Sequence, residues 1–214
     1  MIELLKTGEP FLIMNILVAF VSLALGIQRI HSLWFKFGMS FEETLRQVYG
    51  FVEQGSFSRA IQLVNAKEHP INAVFKAALS RANRSEREMR RAVEVAAIAE
   101  LPRLKKGTGY MPQLSNIATL FGLIGTIRGL IISFSGMNEA GGDAGTRQAM
   151  LSEGISIAFY NTFFGLTVAV FIIIAYMFIL GRQNKLLAQM ELGSAKLIDQ
   201  LLMQQSISRE KERA

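Results

Sequence analysis

Cysteine is absent from the 214 residues, tryptophan occurs once, histidine twice and proline four times. Without cysteine the chain has no disulfide, no thiol nucleophile and no thiolate metal site. His31 and His69 are far apart, and neither lies beside a carboxylate cluster. Each is expected at a surface or an interface, and no metal site is expected. An enzymatic centre is equally unsupported, because no nucleophile–base arrangement appears. "GTIRG" at 125–129 has neither the spacing nor the lysine of a phosphate loop. No β-strand pattern, internal repeat or low-complexity linker is convincing.

Apolar residues make up 50% of the chain, and they are concentrated in runs. Residues 11–27 and 155–180 carry no charge, and residues 117–137 carry one, Arg128. Such lengths suit helices crossing a hydrocarbon core of roughly 30 Å. "ALG" at 24–26 loosely resembles a signal-peptide cleavage site. The first run is long for that role, however, and Lys6 is the only basic side chain in the stretch before it, so a retained helix is expected.

Lys and Arg gather between Arg29 and Lys106 and again in the tail, whereas residues 138–153 hold Arg147 against Glu139, Asp143 and Glu153. Positive charge favours the cytoplasmic side. The expected architecture is therefore an all-α membrane protein with three transmembrane helices and long cytoplasmic helical extensions. Residues 1–9 form an interfacial helix on the outer surface and 10–28 the first span, followed by a cytoplasmic helical region at 29–112. The second span covers 113–137, a short outer loop 138–152, the third span 153–181, and a cytoplasmic C-terminal helix 182–214. Trp34 suits the inner interface. The net charge of +6 reads as a topology signal. Nucleic acid is not an expected partner, since the basic loop alternates in charge and has no aromatic platform.

Within the cytoplasmic region, apolar residues recur at helical spacing before and after Gly55–Ser56 and stop near His69–Pro70. Residues 71–107 then read as one long helix, bent near Pro102 or Pro112. In the tail, Leu187, Met190 or Glu191, Ser194, Leu197 or Ile198, and Leu201 mark an amphipathic packing helix.

Small residues in the second span fall on one helical face: Ala118, Gly122, Thr126, Gly129, Ser133 and Gly136. The third span has a similar stripe of Gly154, Ala158, Thr162, Gly165 and Ala169. Such faces let helix backbones approach closely in lipid. Close packing of the two spans is one reading of them. Another is that Thr126 and Thr162, at similar mid-membrane depth, offer hydroxyls to a polar pathway. Either hydroxyl could instead bond its own preceding carbonyl. Arg128 lies about 200° from Thr126 around the helix, off the small face. An unpaired charge there costs roughly 2.5–3.5 kcal/mol on insertion scales. It can snorkel outward or pair at a subunit interface, with Glu153 the nearest sequence candidate.

"LSNIATLFGLIGTIRGLIISF" (114–134) resembles the second-span signature of the MotA/TolQ/ExbB ion-channel family, and "LSEGISIAFYNTFFGLTVAV" (151–170) its third-span signature. The opening through Ile30, with Arg29 just inside the membrane, is similar to the family's N-terminal helix and first span. The resemblance implies an inner-membrane subunit of a homo-oligomeric ring, a pentamer in this family, with its N-terminus periplasmic and its C-terminus cytoplasmic. That ring surrounds the membrane helices of two copies of a single-span partner of the ExbD/TolR/MotB kind, which carries a membrane-embedded aspartate. Ion flow through it, H+ or Na+ with no other cofactor, drives rotation and powers a periplasmic or outer-membrane process such as TonB/Tol-type transport or gliding motility. Thr126 and Thr162 would face the partner's aspartate. Two positions depart from the pattern: Ile157 replaces a usual glutamate and Phe171 a frequent proline. A passive membrane scaffold that collects partners through its cytoplasmic helices is the competing reading.

Overall fold

The computed structural model describes residues 10–37, 41–66, 68–139 and 144–213, and every regular element among them is helical. Helix α1 (Pro10–Ile30) runs into a π-helical segment (His31–Lys36), followed by α2 (Phe41–Glu53), α3 (Phe57–Asn65), α4 (Pro70–Leu79), α5 (Glu86–Lys105), α6 (Tyr110–Glu139) and α7 (Ala144–Arg213). The interfacial helix expected over 1–9 lies outside the described residues. Three helical stretches, within Pro10–Phe35, Glu86–Gly136 and Ala144–Glu210, are long and apolar enough to cross a membrane. The 30 residues of α6 extend about 45 Å at 1.5 Å per residue. The chain divides into two compact units, one of Met1–Arg29 with Gly107–Ile179 and one of Ile30–Lys106 with Leu180–Ala214.

In the first unit, α1 buries Leu12, Asn15, Val18, Ser22, Gly26 and Arg29 at steps of three and four, and turns Leu17, Phe20, Leu23 and Ile27 outward. This inversion, with polar and small groups inward and large apolar ones outward, suits a helix whose surroundings are hydrocarbon. Ser22 satisfies its hydroxyl by donating to the Val18 carbonyl at 2.7 Å. Gly107, at φ +80°, makes the turn into α6 where a Cβ would lie 3.7 Å from the Arg29 Cδ. Only a residue at ease with positive φ fits there.

The second unit has a conventional apolar core: Leu45, Val48 and Val52 of α2, Val74 and Phe75 of α4, Met89 of α5, and Leu197, Ile198 and Leu201 of α7. After α2, Gly55 (φ +68°) donates to Val52 and Ser56 donates to Phe51. This bond pair is the Schellman closure. The single helix expected over 71–107 is instead two, α4 and α5, and the break is built into residues 80–85. Ser85 caps α5, with its hydroxyl accepting from the Glu88 N–H and the Glu88 carboxylate accepting from the Ser85 N–H. Such a box starts a helix and so ends the preceding one. Gln205 of α7 donates to the Ala82 and Arg84 carbonyls of that turn. Pro102 sits inside α5, and Pro112 lies in the first turn of α6.

His69 is buried rather than at a surface. It caps α4, its Nδ1 accepting from the Ile71 N–H at 3.2 Å, while Nε2–H donates to the Phe37 carbonyl at 3.3 Å. Both bonds use the neutral ring. Burial holds its pKa below the usual value and the Arg182 charge adds to this; the Phe37 carbonyl and Glu100 pull the other way. His31 is exposed and stacks on Phe35. Arg182 lies over the Trp34 ring at 5.7 Å. At Gly193 a Cβ would fall 2.7 Å from the Phe41 ring and 2.9 Å from the Phe75 ring, so the glycine admits both aromatics.

Helix α7 differs from expectation at both ends of the third span. Residues 144–152, expected in the outer loop, form its first turns, and 140–143 lie outside the described residues. At the other end the helix continues through Gly181 into the tail. "ILGRQNKLL" carries no proline and no cap to stop it.

Candidate functional site

The site is the antiparallel face between α6 and α7. Helix α6 buries Ser115, Ala118, Gly122, Gly125, Gly129 and Ser133; α7 buries Gly154, Ala158, Asn161, Gly165 and Ala169. Each step down one helix meets a step up the other. A Cβ on Gly129 would lie 3.0 Å from the Ala158 Cβ, and one on Gly122 3.3 Å from the Gly165 Cα. One on Gly165 would lie 2.7 Å from the Ala118 carbonyl oxygen and 2.8 Å from the Gly122 Cα, and one on Gly154 would overlap the Ser133 hydroxyl. Gly136 is half-buried, with Met150 Sδ 3.8 Å from its Cβ position. Glycine is needed here for close approach rather than for turning.

Hydroxyls bind this face to itself. Ser115 donates to the Ala169 carbonyl at 3.0 Å and Thr162 to the Gly122 carbonyl at 3.3 Å, both across the interface. Ser133 donates to Gly129 within its own helix at 2.8 Å. Thr126 does likewise, donating to Leu123 at 2.5 Å, and lies half-buried at the border of the packed face. The two threonines therefore differ: Thr162 joins the helices, whereas Thr126 spends its proton on its own helix.

Two residues of this face went unrecognised in the sequence. Gly125, rather than its neighbour Thr126, occupies the centre of the α6 face, and Asn161, rather than Thr162, is the buried polar residue that α7 contributes to this face. A Cβ on Gly125 would fall 2.7 Å from the Asn161 Cβ, and the Asn161 Nδ2 has no hydrogen-bond partner. The signal was present, because 118, 122, 125, 129 and 133 follow a 3.6-residue period at least as well as the series through 126.

Around this seam the helices are apolar. Leu123, Ile127, Ile131, Phe159, Phe163, Phe171 and Phe178 are all exposed. Ile157 is half-buried, as is Arg128, and Glu153 is exposed. No cluster of His, Cys, Asp or Glu able to hold a metal ion occurs among the described residues.

Comparison with known proteins places this seam in a family. The model of the MotA/TolQ/ExbB proton channel family matches residues 66–192, which take in α4, α5, α6 and the whole small-residue face of α7. The chain belongs to this family. It is 24% identical over 191 residues to an ExbB homolog, named as a biopolymer transport protein, from Methanothermobacter thermautotrophicus, covering 89% of this chain and 67% of the relative. Two ExbB-like biopolymer transport proteins of Synechocystis are 28% identical over 121 residues and 37% identical over 101. These matches cover 56% and 47% of this chain, and about half the length of each relative, 48% in both. With its three apolar helices, this is a membrane protein of a channel-subunit family.

Proposed function

We propose that the protein is the ring subunit of an ion-driven energiser of biopolymer transport, working in the inner membrane on a gradient of protons, with Na+ the alternative ion. Five copies surround the membrane helices of two single-span partners that carry the titrating carboxylate. Their motion powers a periplasmic or outer-membrane process, transport or motility. The N-terminus is periplasmic; residues 29–112 and 182–214 are cytoplasmic. Thr126 and Thr162 border the path, Arg128 and Glu153 serve as interface or anchoring charges, and Ile157 leaves the titrating group to the partner.

The observation that carries this reading is the α6–α7 seam. It combines backbone contact at Gly122 and Gly165 with a Thr162 hydroxyl held at the Gly122 carbonyl, between helices whose exposed faces are apolar. Packing alone is served by glycine and alanine. A hydroxyl fixed at mid-span adds a polar group to which a passing carboxyl can transfer its hydrogen bond. The test is a Thr126→Val and Thr162→Val double variant of the complex. It is expected to assemble normally and to lose work that depends on the ion gradient. Full client activity in the double variant removes the threonines from the mechanism. Activity unaffected by an ionophore in the native complex favours the passive scaffold instead.

A further inference from the structure

Asn161 is 3% exposed, yet its Nδ2 donor has no partner. An amide donor buried without an acceptor forfeits its hydration, a loss that a leucine or alanine at the same place would avoid. The packing does not call for an amide. Rather, Gly125 gives up its side chain to admit one, since a Cβ there would lie 2.7 Å from the Asn161 Cβ, 2.8 Å from its Cγ and 3.0 Å from Nδ2. The next residue, Thr162, has already committed its hydroxyl to the Gly122 carbonyl. Orphan donors at such depth are satisfied by ordered water, which makes two to four hydrogen bonds.

We infer that the Asn161 amide binds a water molecule within the α6–α7 interface, and that this water is a hydrogen-bonding station of the ion path. The second half rests on the energiser reading above; the first does not. The chemistry favours water over other occupants. The unsatisfied group is a donor, so it seeks an oxygen. Burial excludes a bulky ligand. Gly122, Gly125, Gly129 and Ala158 supply no charge to hold a free ion. A water fixed by a neutral amide can accept a proton on one side and release another from the opposite side. No bond or charge of the protein then changes.

Two measurements test this. In the first, the full-length protein is labelled with 15N at asparagine, placed in lipid bilayers and studied by solid-state NMR. The Asn161 side-chain amide, assigned by its loss in Asn161→Leu, is expected to show a contact to water protons. A resolved amide without that contact overturns the inference. In the second, ion flux is measured through the reconstituted complex. Asn161→Leu, which has the same branched heavy-atom skeleton but is apolar, is expected to assemble and to lose flux tenfold or more, while Asn161→Ser, which keeps a donor, retains more. Native flux in Asn161→Leu overturns the pathway role. Should the leucine variant not assemble, Asn161→Ser is compared with Asn161→Ala, and equal flux overturns the role. A native complex that shows the water contact but no gradient-driven flux refutes the energiser reading and leaves the water site standing.

Discussion

Replacing Gly165 by alanine probes the seam where backbone meets backbone. The new Cβ would lie 2.7 Å from the Ala118 carbonyl oxygen and 2.8 Å from the Gly122 Cα. Both are backbone atoms, so no side chain can rotate out of the way. Restoring an ordinary contact of 3.4 Å means parting α6 and α7 by about 0.7 Å, a gap that forfeits a quarter to a half of the dispersion attraction of each atom pair it opens. The Ser115–Ala169 and Thr162–Gly122 hydrogen bonds, at 3.0 and 3.3 Å, lengthen with it. Alanine's better helix propensity offsets part of the loss. A net destabilisation of about 1–2 kcal/mol is expected, roughly five- to thirtyfold in the unfolding equilibrium.

Gly181→Ala supplies the control. It makes the same chemical change in the same helix, where a Cβ would meet nothing within 4 Å. There only the propensity gain remains, a stabilisation of roughly 0.5–1 kcal/mol. Reversible unfolding of both variants in mixed detergent micelles, followed by helical circular dichroism, should move the midpoint in opposite directions. If Gly165→Ala is no less stable than the native protein, close approach is not what holds the seam.

Gly125 and Asn161 should be coupled. Gly125→Ala is expected to lose about 1–3 kcal/mol by overpacking, and in an Asn161→Gly background, where all three obstructing atoms are gone, at least 0.5 kcal/mol less. A double-mutant cycle measures this, and strictly additive effects refute it. His69 should make the fold of the second unit sensitive to acid. Its lowered pKa means that the fold favours the neutral ring. The contribution is therefore complete above the unfolded value of 6.5 and is lost as pH falls below it through the folded value. Thermal midpoints at pH 7.5 and 5.5 should differ more for the native protein than for His69→Gln; equal differences would show that the buried ring does not titrate with unfolding.

The elements most legible in the sequence were those marked by one strong physical signal. Three uncharged or nearly uncharged runs announced three membrane-competent helices, and glycines at steps of three and four announced a close face. The helix break at 80–85 was also written there, as Ser85 followed by Glu88, but the apolar spacing on both sides of it hid the box. His69 escaped because its value lies in two bonds made by one ring, and one partner, the Phe37 carbonyl, is 32 residues away. The site was harder for a geometric reason. Neighbours on a helix are only about 100° apart, so a stripe drawn through the chemically conspicuous Thr126 or Thr162 passes close to one drawn through Gly125 or Asn161. Deciding between them takes the partner helix.

That partner also shows why packing and polarity cannot be separated at this seam. In lipid no hydrophobic force drives two helices together, so their attraction comes from close contact. Contact this close needs residues without side chains. Once Gly122, Gly125 and Gly165 supply it, the bare backbone of each helix is open to its neighbour's polar groups. The Gly122 carbonyl is within reach of the Thr162 hydroxyl because a glycine stands there, and the Asn161 amide has room because Gly125 has no Cβ. The same glycines make the interface stable and polar at once. Variants of matched branching, threonine to valine or asparagine to leucine, therefore separate function from stability here, whereas changes at the glycines alter both.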